Sequence, residues 1–168
     1  YAVCGLLGIG EAAFTEGLKS YEPLPHRLQY LGQRDGVKYY DDSISTICTT
    51  TIQALKTLTD ADTVLIGGMD RGIDYGELIQ FLSGCPVPHI VLMEATGRRI
   101  YEEIGRDYPE FAGRDRLILA DHLEEAVRAA RSVTRPGHSC VLSPAAASYG
   151  IFRNFEERGE AFSRYVFE

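Results

Sequence analysis

Four short apolar blocks, each followed by a helix-like segment, are the feature that most limits the possible folds. They are 63-TVLIGG-68, 89-HIVLME-94, 116-RLILA-120 and 138-HSCVLS-143. Near-continuous apolar runs of this length are typical of strands covered on both faces of a parallel sheet. Helices are predicted at 46–58, 75–83, 97–105, 122–132 and 154–167. The alternation predicts a Rossmann-like, doubly wound α/β domain.

A hairpin is predicted ahead of these blocks. The runs 28-LQYLGQR-34 and 37-VKYYDD-42 are joined by Asp35-Gly36, a strong hairpin signal. The sheet is therefore expected to have about six strands. A loop insertion is expected at 106–115.

The first 27 residues have a different character. Residues 1–20 are predicted to be helical, with a second helix from Glu11 that ends where Pro23 and Pro25 forbid continuation. Two prolines in three residues suit an interdomain linker. We expect the chain to be a fragment of something longer.

Charge and motifs exclude several classes of function. The net charge of -7 argues against general binding to nucleic acid or to an anionic membrane. No run of 18 apolar residues is present, which excludes a membrane span in this sequence. The four cysteines lack metal-ligand spacing, so we interpret them as small buried side chains. The 168 residues contain no GxxxxGK[ST] phosphate loop.

Ligands of such sheets bind outside the carboxyl ends of the strands, so the loops that follow the strands are the candidate site. The loop 41-DDSIST-46 offers hydroxyls and carboxylates. They could cap the next helix or bind a polar substrate, and the loop alone does not separate these alternatives. In 67-GGMDRGID-74, Arg71 suits a carboxylate or phosphate, although a surface arginine is the commoner case.

Four segments in this order resemble the C-terminal domain of the Mur ligases, especially their D-glutamate-adding members. They are 24-LPHRLQ-29, 41-DDSIST-46, 67-GGMDRGIDY-75 and 142-LSPAAASYGIFRNFEERGEAF-162. The resemblance covers nearly the whole chain. It implies that residues 1–22 are the tail of a central ATP-binding domain and that residues 23–168 are the amino-acid-binding domain.

The resemblance also implies a function. The parent protein would be an ATP-dependent amide ligase of peptidoglycan synthesis in the bacterial cytoplasm, joining D-glutamate to UDP-N-acetylmuramoyl-L-alanine. ATP and Mg²⁺ would be held mainly by the central domain, so this domain should be inactive without its own N-terminal and central domains. Nucleic acid and membrane are not expected partners.

Particular residues match the family's positions. By resemblance, Thr46, Arg71, Ser148 and Phe155 contact D-glutamate, and Tyr149 adds a backbone contact. Arg27 and Asp42 match nucleotide-side positions. No catalytic or metal-binding residue is expected in this part of the enzyme.

One departure keeps other hypotheses open. Ile44 stands where many relatives carry lysine, so one cationic contact is absent. The alternatives are a related Mur or folylpolyglutamate-type ligase for another amino acid, or a stand-alone Rossmann-like module that binds a small molecule.

Overall fold

A computed structural model describes residues 1–112 and 115–168. The centre of the fold is a six-stranded sheet. Its strands lie in the order β1-β2-β6-β3-β4-β5, and β1 is antiparallel to β2 whereas the other neighbouring strands are parallel. The strands are β1 Gln29–Arg34, β2 Val37–Asp41, β3 Ala61–Gly67, β4 His89–Met93, β5 Leu117–Ala120 and β6 Ser139–Leu142. This sheet confirms the predicted doubly wound α/β class and the N-terminal hairpin.

Eight helices accompany the sheet in the described part of the chain. They are α1 Ala2–Leu6, α2 Glu11–Lys19, α3 Cys48–Thr57, α4 Gly76–Gly84, α5 Glu94–Asp107, α6 Pro109–Ala112, α7 Leu123–Val133 and α8 Phe155–Phe167. Helices α3, α4 and α5 contribute to one apolar layer, and α7 and α8 contribute to the other.

The two layers explain the unbroken apolar blocks. In β3, Val64 and Ile66 pack toward α3 and α4, whereas Leu65 packs toward α7 and α8. All three side chains are fully buried. Burying each side chain of this size contributes about 1.5–3 kcal/mol, so both faces of a central strand favour apolar residues.

The hairpin turn follows from its two central residues. Asp35 and Gly36 have φ angles of 52° and 80°, and Arg34 pairs with Val37 across the turn. Positive φ at both central positions defines the hairpin turn whose twist matches the flanking strands, and aspartate and glycine tolerate it best.

The prediction for the N-terminal segment was wrong in detail. Residues 1–20 are not helical throughout: the chain forms the short helices α1 and α2, of which α2 begins at Glu11 as predicted and ends at Lys19, before the prolines, and neither helix contains a buried residue. The interruption at 7–10 contains Gly8 and Gly10, and glycine is a poor helix former. The expected insertion at 106–115 contains α6, while residues 113 and 114 lie outside the described part.

The length and hydropathy of a helix decide whether it could cross a membrane. None of the helices in the described ranges combines the length and the hydropathy that a membrane span requires.

Candidate functional site

Three loops meet at the carboxyl ends of the adjacent strands β2, β6 and β3. Backbone hydrogen bonds join them directly. Ala145 donates to the Ser45 carbonyl at 2.9 Å, Gly67 to the Pro144 carbonyl at 2.9 Å, and Met69 to the Ala147 carbonyl at 2.8 Å. The loops therefore form one rigid surface at the edge of the sheet where ligands of such folds bind.

A pocket of about 290 Å³ opens on this surface. It is lined by Ile44, Thr46, Arg71, Ala147, Ser148, Tyr149 and Phe155. The structure thus brings together all five residues predicted to contact the amino acid, although four of them come from three separate loops and Phe155 is the first residue of α8. Small-molecule sites begin at roughly 300 Å³, so this volume suits a ligand of amino-acid size.

Arg71 gives the pocket its charge, since among the described residues it is the only Asp, Glu, His, Lys or Arg that lines the pocket. Its Nη2 donates to the carbonyl of Thr46 at 2.7 Å, which directs the guanidinium across the pocket. The remaining N–H groups of a guanidinium can still pair with a carboxylate in the two-pronged geometry that arginine favours. The pocket is therefore suited to an anion.

Hydroxyl groups complete the polar lining. The side chains of Thr46 and Ser148 line the pocket, and Ser148 is 4% exposed. The alternative that the hydroxyls of this loop cap α3 is wrong, because the cap position is Ile47 and no side chain caps the helix. Thr46 thus precedes an uncapped helix N-terminus, whose partial positive charge also favours an anion.

Arg158 lies beneath the pocket and is fully buried. Its Nε donates to the Ser43 hydroxyl at 3.0 Å, and its Nη2 donates to the carbonyls of Ser43 and Ala146 at 2.9 and 3.0 Å. Burial lowers the pKa of Arg158 to about 10, against the attraction of Glu94 and Asp41. Arg158 therefore ties the loop after β2 to the loop after β6.

Sequence reasoning assigned no role to Arg158. The available signal was its place within 154-NFEERG-159, three residues after Phe155 in the segment that carries the resemblance. The neighbouring small residues Ala145, Ala146 and Ala147 are buried. Their size leaves room for the buried guanidinium next to the Ala146 carbonyl.

A partly buried contact between His26 and Asp41 lies behind Phe155. The Nδ1 atom of His26 is 2.7 Å from Oδ2 of Asp41, and the His26 ring packs edge-on against Phe155 with centroids 5.9 Å apart. Gly159 of α8 passes directly over this pair. Neither Asp41 nor Gly159 was singled out from the sequence.

The two nucleotide-side candidates do not line the pocket. Asp42 is 2% exposed, and its carboxylate accepts hydrogen bonds from the Leu28 backbone at 3.1 Å and from the Ser143 hydroxyl at 2.7 Å. Burial raises the pKa of Asp42, although its hydrogen bonds to Ser45 and Ser143 oppose the shift. Arg27 is exposed, directly before the backbone that Asp42 holds.

A metal ion does not fit these residues. The carboxylate of Asp42 is buried and accepts a hydrogen bond at each oxygen, so it is held inside the fold and is not presented at the pocket. Over residues 1–112 and 115–168, no group of three or more His, Cys, Asp or Glu side chains could hold a metal ion. We therefore derive no chemical step through Mg²⁺ from this domain.

Glu94 is a strained and buried acid at the end of β4. Its φ angle is 60°, its exposure is 7%, and its Oε1 has no hydrogen-bond partner among residues 1–112 and 115–168. Burial raises the pKa of Glu94 above its ordinary value of 4.5, although the positive charges of Arg158 and His122 oppose the shift.

Replacing Glu94 with glutamine is expected to stabilise the domain at neutral pH. A raised pKa in the folded state means that stability falls as the pH rises from 4.5 through the folded pKa. The amide of glutamine does not ionise and so does not lose this stability. The free energies of unfolding of the unsubstituted protein and of Glu94→Gln should therefore differ near pH 7 and become equal near pH 4, where both side chains are neutral. Urea unfolding midpoints at the two pH values test this, and a less stable variant at neutral pH would contradict it.

Comparisons with known proteins give a consistent result. The chain is 38% identical over 154 residues, 92% of its length, to UDP-N-acetylmuramoylalanine–D-glutamate ligase of Chlamydia caviae. It is also 38% identical over 164 residues, 97% of its length, to the enzyme of the same name from Rubrobacter xylanophilus. The chain spans 35% and 36% of the lengths of these two relatives. No protein-family model matches.

Solved structures share the fold. One is MurF ligase from Thermotoga maritima in complex with ADP. The alignment covers 98% of the present chain and 36% of the MurF chain, with a TM-score of 0.59 and 19% sequence identity. Another is Mycobacterium tuberculosis folylpolyglutamate synthase complexed with ADP and AMPPCP. The alignment covers 99% of the present chain and 38% of the synthase chain, with a TM-score of 0.64 and 15% sequence identity.

Proposed function

The chain belongs to the Mur ligase family as a C-terminal domain, and from this we propose that it is the amino-acid-binding domain of a UDP-N-acetylmuramoylalanine–D-glutamate ligase. The observation that carries the proposal is the pocket formed by Thr46, Arg71, Ser148, Tyr149 and Phe155. Its size, its single cation and its hydroxyls suit a small anionic amino acid such as D-glutamate.

The chemistry of the proposed reaction matches this lining. D-Glutamate carries two carboxylates, which need a guanidinium together with hydroxyl and N–H donors. Its amine must be held, uncharged, in line with the carbonyl carbon of an acyl phosphate that ATP forms on UDP-N-acetylmuramoyl-L-alanine. The new C–N bond forms as inorganic phosphate leaves and the amine loses a proton. The role of this domain is to bind and orient the amine.

The proposal divides the chain at residue 22. Helices α1 and α2 bury none of their residues, and Leu6, Leu7 and Leu18 are 88%, 72% and 54% exposed. An apolar surface of this kind supports the assignment of residues 1–22 to a central ATP-binding domain. Residues 23–168 then form the amino-acid-binding domain.

Arg27 lies at this boundary, and we assign it to the nucleotide side of the reaction. Its exposed guanidinium suits a phosphate, while Asp42 acts through the backbone. Because Asp42 accepts the Leu28 N–H, it fixes the chain next to Arg27. The parent enzyme, with ATP bound by its central domain, would carry out this step of peptidoglycan synthesis in the bacterial cytoplasm.

Replacing Ser148 with alanine in the parent ligase tests the proposal. Because a hydrogen bond to a charged group is worth about 1.5–3 kcal/mol, we expect the KM for D-glutamate to rise about tenfold or more. The KM values for ATP and for UDP-N-acetylmuramoyl-L-alanine should change little. Steady-state kinetics with each substrate varied in turn measures all three.

Ser132 provides a matched control for this variant. It is exposed on α7, where its hydroxyl donates to the Ala129 carbonyl, far from the pocket. Ser132→Ala should therefore leave all three KM values unchanged. An unchanged KM for D-glutamate in Ser148→Ala would remove Ser148 from the amino-acid site.

A further inference from the structure

The loop between β3 and α4 presents Arg71 to the pocket on an exposed turn. The start of the loop is fixed where Met69 donates to the Ala147 carbonyl at 2.8 Å. Its end is fixed where Gly76 donates to Oδ1 of Asp74 at 2.8 Å. Arg71 lies between these anchors, so the direction of its backbone depends on what holds the middle of the loop, while the Thr46 carbonyl holds its guanidinium.

Asp70 holds that middle part. Its Oδ1 accepts the N–H of Gly72 at 2.8 Å, which closes a tight turn around Arg71. The same oxygen is 3.0 Å from Nη1 of Arg99, which lies on α5. The side chains of Arg99 and Asp70 are 32% and 29% exposed, so the ion pair is partly shielded from water.

Arg99 is itself held in place. Its Nε donates to Oε1 of Glu103 at 2.8 Å, one turn along α5. Its guanidinium lies over the ring of Tyr75, 5.4 Å from the centroid, and Tyr75 is fully buried. The Arg99 guanidinium is thus a fixed point on a regular helix, to which the turn that carries Arg71 is attached.

We propose that Arg99 is a positioning residue for amino-acid recognition, because it holds Asp70 and so fixes the turn that directs Arg71 into the pocket. This inference rests on the proposed function of the pocket. A preorganised arginine loses less conformational freedom when the ligand binds, and affinity is higher for that reason. Arg99 touches no ligand in this proposal and acts only through Asp70.

The test compares two neighbouring arginines in the parent ligase. Arg99→Ala should raise the KM for D-glutamate about fivefold, the effect expected from a partly exposed ion pair. Its kcat and the KM values for the other two substrates should stay within about twofold. Arg98→Ala is the matched control, because Arg98 pairs with Asp121, away from the pocket, and should leave every constant unchanged.

Three further variants separate positioning from general stability. Asp70→Asn keeps an acceptor for the Gly72 N–H but removes the charge that Arg99 holds, so it should raise the same KM. The double variant should be no worse than either single one, because both remove one interaction. Arg99→Lys should restore part of the affinity. Should Arg99→Ala fold poorly, Asp70→Asn provides the same test.

The outcomes distinguish the inference from the function on which it rests. Equal KM values for D-glutamate in Arg99→Ala and Arg98→Ala, or additive effects in the double variant, would overturn the positioning role. If Arg71→Ala raises that KM and Arg99→Ala does not, only the positioning role fails. If Arg71→Ala also leaves the KM unchanged, the proposed function fails as well.

Discussion

Replacing Arg71 with alanine in the parent ligase is expected to raise the KM for D-glutamate about 100-fold, because charge-assisted hydrogen bonds worth up to about 3 kcal/mol are lost. The loss should be large because Ile44 supplies no charge and Arg71 is the only cationic side chain in the pocket lining. Steady-state kinetics should show little change in the KM values for ATP and UDP-N-acetylmuramoyl-L-alanine.

Three further variants make this result specific. Arg71→Lys should be intermediate, because lysine keeps the charge but loses the planar fork of donors. Ile44→Lys, introduced beside Arg71→Ala, should restore part of the affinity by returning a cation to the same pocket. Arg106→Ala is the control, since Arg106 pairs with Asp107 at the end of α5. An Arg71→Ala enzyme with an unchanged KM for D-glutamate would exclude Arg71 from recognition.

Replacing Gly159 with alanine is expected to destabilise the domain by about 3 kcal/mol, because overpacking a buried site costs about 1–3 kcal/mol and the hydrogen bond between His26 and Asp41 is also disrupted. An added Cβ would lie 2.2 Å from Oδ2 of Asp41 and 2.4 Å from Nδ1 of His26. The helix cannot move away without losing the contacts of Arg158 in the same turn. Urea unfolding of the 168-residue chain, followed by circular dichroism, measures the effect.

The same substitution in another helix should have the opposite sign. Gly105 of α5 is exposed, and an added Cβ would meet nothing within 4 Å. Alanine is favoured over glycine in helices by about 1 kcal/mol, so Gly105→Ala should stabilise the domain by up to that amount. Adding His26→Ala to Gly159→Ala should recover part of the lost stability. Equal changes in the free energy of unfolding at positions 105 and 159 would show that helix propensity, and not the clash with His26 and Asp41, determines the effect of the substitution.

Local signals made most of the sheet predictable. Asp35-Gly36 specifies its turn through the φ angles that these two residues tolerate, so the hairpin could be read without tertiary information. The apolar blocks became strands because both faces of β3 and β4 are covered by helices. The order of the strands in the sheet could not be predicted in this way, because nothing in the sequence of β6 indicates that it lies between β2 and β3.

The site was predictable only where its residues belong to motifs. Thr46, Arg71 and Ser148 occur in segments that carry the family resemblance, and they line one pocket. Arg158 and Glu94 were missed because charged residues usually lie at the surface, whereas here both are buried. Arg99 and Asp70 could not be paired from the sequence, because 29 positions separate them and the loop geometry alone brings them together.

The late position of β6 in the chain affects how the domain folds during synthesis. Strands β2 and β3 are close in sequence, but in the sheet they flank a strand that ends at Leu142. A growing chain therefore cannot complete its central sheet until that strand has emerged, and such long-range pairing folds slowly. The amino-acid pocket needs residues up to Phe155, so it is absent from every shorter intermediate. Ligand binding then stabilises only the finished domain, so a ligand of this pocket would act on the final step of folding alone.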